Sequence, residues 1–348
     1  MKSEEIARLA GVSRSTVSRV INNYPNVPEK TRERVMKVIR EYNYEPNQSA
    51  RVLAGKKTNT IGLFLFTIYD INSPYRIYNN GYFSPFVDSF VDIGNSMGYY
   101  MLVHTIYKPE ECWRIRQTFL QKRIDGGIII STDKSSELES IFRDVSHPIV
   151  IMDYDPSVIE KTMGPEARIA VVDLNDEKGI NEAVDYLVSL GHRRIGMIAG
   201  RQTSYSGLRR RECFVRRLEH HGLPVDDRYM IKGDFTWEAV VPEIEKLIYS
   251  QQLPTAMIAS NDSMAMAAIE TFKRHSIRVP EDISIIGHDD IPTAAIYKPA
   301  LTTVRIPFFD VAKKSMDMLS ELIENDTPRF TVYKADVGLE VRESCSRI

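Results

Sequence analysis

From Thr60 onward the chain is punctuated by short, β-rich apolar runs separated by helix-patterned segments. This alternation restricts its fold more than any other feature. The runs are IGLFLF (61–66), YYMLVHT (99–105), GGIIIS (126–131), PIVIMD (148–153), RIAVVD (168–173), RIGMIAG (194–200), TAMIAS (255–260) and ISIIGHDD (283–290). Helical patterns such as Asn181–Leu190 and Leu208–His221 lie between them. Strands that alternate with helices build parallel sheet, and parallel sheet is covered on both faces. The series is too long for one compact sheet, so it predicts two doubly wound α/β lobes. A length of 348 residues agrees with two or three domains. At 43% hydrophobic and 26% charged residues the chain can bury an ordinary globular core.

The first sixty residues read as helices. Ser3 is placed to cap a helix carrying Ile6, Leu9 and Ala10, and Gly11 is placed to end it in a left-handed turn. Ser13 can cap a second helix with Val17, Val20 and Ile21 on one stripe, broken by NNYPN. A third helix is expected from about Pro28 to Tyr42, with Pro28 at its first position and Val35, Val38 and Ile39 turned inward. Two short helices joined through a glycine turn, with a third behind, form a helix-turn-helix unit. Taken alone, ARLAGVSRSTVSRVINNYPNV (7–27) fits either an amphipathic helix pair at a domain edge or a device that places side chains in a DNA groove. Residues 1–57 hold 12 Lys and Arg against 6 Asp and Glu, so this head is +6 and the remainder is −8. A basic head on an acidic body points to a polyanion that meets the head alone, or else to a solvated charged surface. After Pro46, Asn47 can cap a short helix through Leu53, ended by Gly55, which has no evident core to pack on. Lys56 to Thr60 reads as linker.

Several classes of function find no support in the sequence. No apolar run reaches the ~18 residues of a membrane span, and the start MKSEEIARLAG has no signal-peptide core, so a cytoplasmic protein is expected. Cys112, Cys213 and Cys345 lack metal or redox spacing and read as reduced thiols, with no cofactor or metal implied. There is no G-x-S-x-G elbow, phosphate-binding loop, dinucleotide turn or metal-spaced histidine cluster, so no catalytic residues are expected. Asp153 and Asp289 could be paired as catalytic carboxylates, but nothing beyond their type supports it.

The head EEIARLAGVSRSTVSRVINNYPNVPEKTRERVMKVIREYNYEPNQSARVLAGKKTNTIGL resembles the N-terminus of LacI/GalR-family transcriptional repressors. The similarity continues in order through LVSLGHRRIGMIAG, GDFTW, PTAMIASNDSMAMAA, VPEDISIIGHDDI and PALTTVRIP, nearly the whole chain. The resemblance implies an all-α DNA-binding head (1–46), a hinge helix and linker (47–58), and a core resembling periplasmic sugar-binding proteins (59–348). Its first lobe is expected at about 59–173 plus 303–327, and its second at about 174–302 plus 328–348. It further implies a homodimer on a near-palindromic operator, controlled by a small sugar-like effector held between the lobes, with no membrane association.

In such repressors the second helix enters the major groove. Here its residues are Arg14, Ser15, Thr16, Ser18 and Arg19. Arginine pairs bidentately with guanine, and short hydroxyls contact base edges or phosphates. Thr16 and Ser18 could instead pack or cap, and the basic residues of the third helix suit solvent or phosphate rather than bases. The family also inserts a hinge leucine into the minor groove, matched by Leu53, with Asn47, Ala50 and Arg51 along the same groove. Such a wedge kinks DNA at a cost of roughly a few kcal/mol that added contacts offset.

In open α/β sheets ligands bind at the carboxyl ends of strands. Asp153, Asn261 and Asp289 fall at such ends, and Arg210 opens the helix after GRQTSYSGLRRR. The resemblance gives Arg210, Asn261 and Asp289 effector contacts and Phe235 a place in the pocket wall. Asp290 reads as a cap or turn residue, Asp262 as a cap for Ser263–Arg274, Arg209 and Arg211 as outward-facing, and His192 as structural. One stretch departs from the family: Asp70 to Gly98 is longer and rich in tyrosine, so that Tyr75, Tyr78, Tyr82 and Phe83 either form a modified pocket wall or belong to a loop that simply packs on the surface.

Overall fold

The computed structural model describes residues 1–21, 23–44, 57–67, 81–131, 133–144 and 146–348. These divide into two compact units, Met1–Thr58 and Asn59–Ile348.

The first unit holds α1 (Ser3–Leu9), α2 (Arg14–Ile21) and α3 (Glu29–Glu41). Their apolar stripes meet in a small core of Ile6, Ala7, Ala10, Val17, Val20, Val27, Val35, Val38 and Tyr44. Gly11 ends the α1 turn at φ +60°, a conformation that costs glycine little. Ser13 Oγ accepts the Thr16 N–H at 3.2 Å, capping α2 as expected. Two expectations shift by one residue. Ser3 is the first helical residue of α1, and Lys2 holds the cap position, its backbone N–H donating to the Glu5 carboxylate at 2.8 Å. Pro28 likewise occupies the cap position of α3, where its missing N–H is not needed. Arg32 also departs from the expected solvated role. Its guanidinium donates to Asn23 Oδ1 and to the Tyr24 carbonyl, both at 2.7 Å, and so fixes the turn that follows α2.

The second unit begins with β1 (Thr60–Phe66), α4 (Phe83–Ser96), β2 (Tyr100–Ile106), α5 (Trp113–Leu120), β3 (Gly126–Ser131), α6 (Ser136–Asp144), β4 (Pro148–Met152), α7 (Pro156–Thr162) and β5 (Arg168–Asp173). The chain then crosses to a second lobe through α8 (Asp176–Ser189), β6 (Ile195–Ala199), α9 (Tyr205–His220), β7 (Met230–Lys232) and α10 (Trp237–Tyr249). This lobe continues with β8 (Ala256–Ala259), α11 (Asp262–Arg274), β9 (Ser284–Asp289), α12 (Pro292–Ile296) and β10 (Thr302–Arg305). A second crossing brings α13 (Phe308–Glu324) and β11 (Arg329–Lys334) back to the first lobe, and a third delivers β12 (Gly338–Glu340) to the second. The strand orders are β11-β5-β4-β3-β1-β2 and β12-β10-β9-β8-β6-β7. All neighbours run parallel except β12, which is antiparallel to β10.

The reason the runs are apolar throughout is visible in β1. Ile61, Leu63 and Leu65 point to a core shared with Phe86 and Phe90 of α4 and Leu319 of α13. Phe64 and Phe66 point to the opposite core with Phe119 and Phe142. In β8, Ala256 and Ile258 divide from Met257 and Ala259 in the same way. Both faces of each central strand are therefore dry, as a parallel sheet requires.

The lobes divide at different residues from those expected near the carboxyl end. Residues 303–305 stay in the second sheet, where β10 pairs with β9. Residues 329–334 belong to the first, where Arg329 to Lys334 register with Arg168 to Asp173 of β5. The sequence RFTVYK hides this strand because it forms a sheet edge, and Val332 remains 45% exposed.

Leu319 is fully buried against the first sheet, whereas Val332 lies on its exposed edge. Leu319→Ala is expected to destabilise the core by about 2–5 kcal/mol in denaturant titration, while Val332→Ala stays within roughly 0.5 kcal/mol.

Candidate functional site

Two surfaces concentrate functional chemistry, one in each unit. In the head, burial of Val17 and Val20 fixes which face of α2 is presented to solvent. That face carries Arg14, Ser15, Ser18 and Arg19, all exposed, with Thr16 half-buried beside them. Ser13 Oγ lies 2.7 Å from Ser15 Oγ and 2.9 Å from Thr16 Oγ1, so the capping hydroxyls form a small cluster at the helix start. Thr16 thus joins the cap through its side chain as well as its backbone. Arg14 pairs with Glu4 at 3.2 Å, but both groups are well exposed and such a pair is weak. Asn47, Ala50, Arg51 and Leu53 lie outside the described residues.

In the core, the carboxyl ends of strands from both lobes converge on one guanidinium. Arg210, 2% exposed, projects from α9. Its Nε donates to Asp176 Oδ1 at 2.7 Å, and one Nη1 hydrogen goes to the Ser260 carbonyl. Asp289 Oδ1 stands 3.6 Å from the same Nη1. Asp153, at the end of β4 in the first lobe, accepts a hydrogen bond from Ser206 Oγ of α9 at 3.3 Å. Beside it Asp133, 2% exposed after β3, receives Arg201 Nη1 from the second lobe at 2.9 and 3.1 Å. The two lobes are therefore joined by polar contacts across their boundary.

Backbone geometry at these strand ends is unusual. Asp153, Asp289 and Asp290 have φ of 57°, 113° and 57°, and Asp234 and Phe235 have 50° and 63°. Left-handed values turn the chain sharply where each strand stops, at a conformational cost for non-glycine residues. The Phe235 ring lies on Gly200, where a Cβ would collide with it. Asn261 holds Phe235 from the other side, its Nδ2 donating to the Phe235 carbonyl at 3.3 Å.

Burial dominates the electrostatics. It pushes the Asp153 carboxyl up to about 7, with Asp176 adding to the rise and Arg210 opposing it. Burial also raises Asp176 and Asp289, again against the pull of Arg210. For Arg210 burial works toward neutrality, but Asp176, Asp289 and Asp153 outweigh it and hold the cation. His288 is driven well below its usual range by burial and by Arg210, so it is neutral. Tyr82, which opens α4, is held far above the usual phenol range by burial and then by Asp153 and Asp289.

The sequence-derived residues thus fall into distinct groups. Asp153, Arg210 and Asp289 come together, and Tyr82 joins them from the longer first-lobe segment. Phe83 is wholly buried in the first-lobe core, and Tyr75 and Tyr78 lie outside the described residues. Asn261 is engaged at both ends, since its Oδ1 also caps α11 through the Met264 N–H at 2.8 Å. Asp262 is not that cap. It is buried, accepting the Ile291 N–H at 2.8 Å and the Thr303 hydroxyl at 2.5 Å. Asp290 pairs with Arg342 at 2.7 Å, and Arg209 with Glu177 at 2.8 Å. His192 is structural, its ring nitrogens lying 3.0 Å from Thr255 Oγ1 and from the Ser346 carbonyl. Asp176, Asp133 and Ser206 escaped the sequence reading. Asp176 follows β5 in VVDLND, so the strand-end rule that found Asp153 also applies to it.

Among the described residues no three His, Cys, Asp or Glu side chains are placed to hold a metal ion, and no helix is long and apolar enough to cross a membrane.

A helix-turn-helix unit joined in one chain to a two-lobed α/β core whose polar strand ends meet at the lobe boundary is the build of a ligand-responsive DNA-binding regulator. Comparison with known proteins makes this specific. Residues 4–47 match the family model "Bacterial regulatory proteins, lacI family", and 184–345 match "Periplasmic binding protein-like domain". The repressor PurR of Vibrio parahaemolyticus is 30% identical across 99% of this chain and 98% of its own. The lac repressor dimer bound to operator and the anti-inducer ONPF superposes with a TM-score of 0.81 at 26% identity over 99% of both chains. The regulator CelR in complex with cellobiose gives 0.70 at 27% identity, also over 99% of both chains. The chain belongs to the LacI family of DNA-binding transcriptional regulators.

Asp262 is also pushed up to about 7, by burial first, against its bonds to Thr303 and Ile291. A carboxyl raised on folding stays protonated in the native state while the unfolded chain ionises. Its favourable contribution is complete below about pH 4 and is lost as pH climbs through about 7. Asp262→Asn keeps the shape and removes this loss. The stability of the variant relative to wild type is therefore expected to improve between pH 5 and pH 8, by at most about 1.4 kcal/mol per pH unit, in denaturant titrations across that range.

Proposed function

We propose that this protein is a cytoplasmic repressor of a carbohydrate-use operon, with no catalytic role, and that a small sugar-like effector held between the lobes controls it. One observation carries the reading: a single chain joins an exposed Arg and Ser face on α2 to a core whose polar strand ends converge from two lobes. In this proposal Arg14 and Ser15 select bases, Arg19 contacts guanine or phosphate, and Thr16 and Ser18 fix the helix on the backbone. Asn47, Ala50, Arg51 and Leu53 track the minor groove, with Leu53 as wedge. Two heads of a homodimer read the half-sites of a near-palindromic operator. The operator-bound lac repressor dimer supports that assembly, and the cellobiose complex of CelR supports a carbohydrate effector.

Asp153, Arg210 and Asp289 supply hydrogen-bonding groups for effector hydroxyls, Phe235 offers a ring face, and Asn261 holds Phe235 in place. Effector and operator then influence each other through one coupling free energy, because lobe geometry biases the hinge segment.

Binding to DNA from upstream of its own gene cluster is expected to weaken steeply with salt, as phosphate contacts release counterions. Arg14→Ala should cost about 1–3 kcal/mol of sequence discrimination in competition binding. Asp289→Asn should leave operator binding intact and abolish its response to the effector found by a thermal-shift screen of sugars. A salt-independent affinity removes the DNA assignment, and a fully responsive Asp289→Asn protein removes the pocket assignment.

A further inference from the structure

The covalent crossings between the lobes lie at one side of each sheet. The chain passes over after β5, β10 and β11, along the β11-β5 edge of the first sheet and the β12-β10 edge of the second. Asp133 and Arg201 stand away from that side. Asp133 follows β3, two strands in from β5, and Arg201 follows β6, three strands in from β10. At about 4.8 Å per strand, this places the pair roughly 10–14 Å sideways from the crossings. One Nη1 of Arg201 reaches both carboxylate oxygens of Asp133, at 2.9 and 3.1 Å, and the two side chains are 20% and 2% exposed. A charge-assisted bond so sheltered is strong and little screened by salt. A second polar contact across the strand ends, Ser206 Oγ to Asp153 at 3.3 Å, ends on β4, one strand nearer the crossings, and its donor is a neutral hydroxyl.

Each member of the pair is presented by a tied turn of its own lobe. The Ser131 hydroxyl donates to the Asp133 carbonyl at 2.8 Å. The Arg201 carbonyl accepts the Ser204 hydroxyl at 2.7 Å and the Ser204 N–H at 3.2 Å. Gly207 packs so closely on that carbonyl oxygen that a Cβ would lie 2.1 Å from it. Fixed backbones on both sides lower the entropy lost when the charges meet. We propose that Asp133 and Arg201 form a latch, an ion pair that fastens the lobes at a distance from their covalent crossings and sets the cost of parting them there. Pulling the pair apart strands a buried carboxylate without its cation, which is unfavourable until water reaches the boundary. The latch acts on the lobes themselves, whatever ligand the strand ends receive. For an effector held between the lobes, as proposed above, it sets how often the boundary opens to let the effector pass.

A thiol placed at the boundary tests this without any effector. Ser206 is 4% exposed and faces Asp153 of the other lobe, so Ser206→Cys carries a thiol that becomes reachable when the lobes part. In the full chain, alkylation of that thiol by iodoacetamide, followed by mass spectrometry, is expected to run about tenfold faster when Asp133→Asn or Arg201→Gln is added. Charge alone does not produce both results, because loss of the carboxylate favours the thiolate and loss of the guanidinium disfavours it. The native Cys213 thiol on α9, 1% exposed, reports on folding in the same samples and is expected to keep its parent rate. Unchanged rates in both variants, or shifts in opposite directions, overturn the latch. Equal acceleration at Cys213 overturns it too, since the pair then holds the fold together and not the lobe boundary. Arg201→Gln decides the matter even where Asp133→Asn fails to fold, because its effect through charge opposes the expected one.

Discussion

A guanidinium shut away from water at Arg210 organises the core. Its own solvation is lost, and three acidic side chains with one backbone carbonyl replace it. Those partners sit at the start of α8 and at the ends of β8 and β9, so one side chain ties the point where the chain enters the second lobe to two places where it leaves the second sheet. Removing either member of a buried pair leaves an uncompensated charge, at a cost of about 3–5 kcal/mol. The aspartates crowd this position because Arg210 requires them, and Asp153 of the other lobe approaches the same group. What looks like a binding site is thus also the polar keystone of one lobe.

The head relies on a different constraint. Among the described residues its core holds nine buried side chains, and the shape of the exposed α2 face depends on turns at both ends of that helix. The Ser13 hydroxyl fixes one end and Arg32 the other. Arg32 shows how a basic residue in a basic segment can serve the fold: its charge is spent on Asn23 and on a backbone carbonyl.

Much of this was legible in the residues. The eight apolar runs all became strands, seven of them because burial on both faces demands near-continuous apolar residues, whereas β2 is a half-exposed edge strand whose β-branched and aromatic content gave it away. The four strands without such runs escaped for the converse reason. β7 and β12 are three residues each, β11 lies at an edge with alternating exposure, and β10 is only four residues long. Asp153, Arg210 and Asp289, which the structure brings together, were picked out by strand ends and family resemblance. The cap expected of Asp262 is made by Asn261, while Asp262 is buried against Ile291 and Thr303; both residue types can cap a helix, and only packing decides which does. Ser206 and Asp133 gave no sign at all, because their roles arise from the approach of two lobes far apart in sequence.

The chain passes between the lobes three times, after β5, after β10 and after β11. Three parallel straps resist twisting and sliding far better than one, yet all can bend together. The same threading makes the carboxyl-terminal stretch common property: a chain cut short after α13 loses an edge strand from both sheets at once. Neither lobe could have been inherited, lost or exchanged as a simple contiguous block.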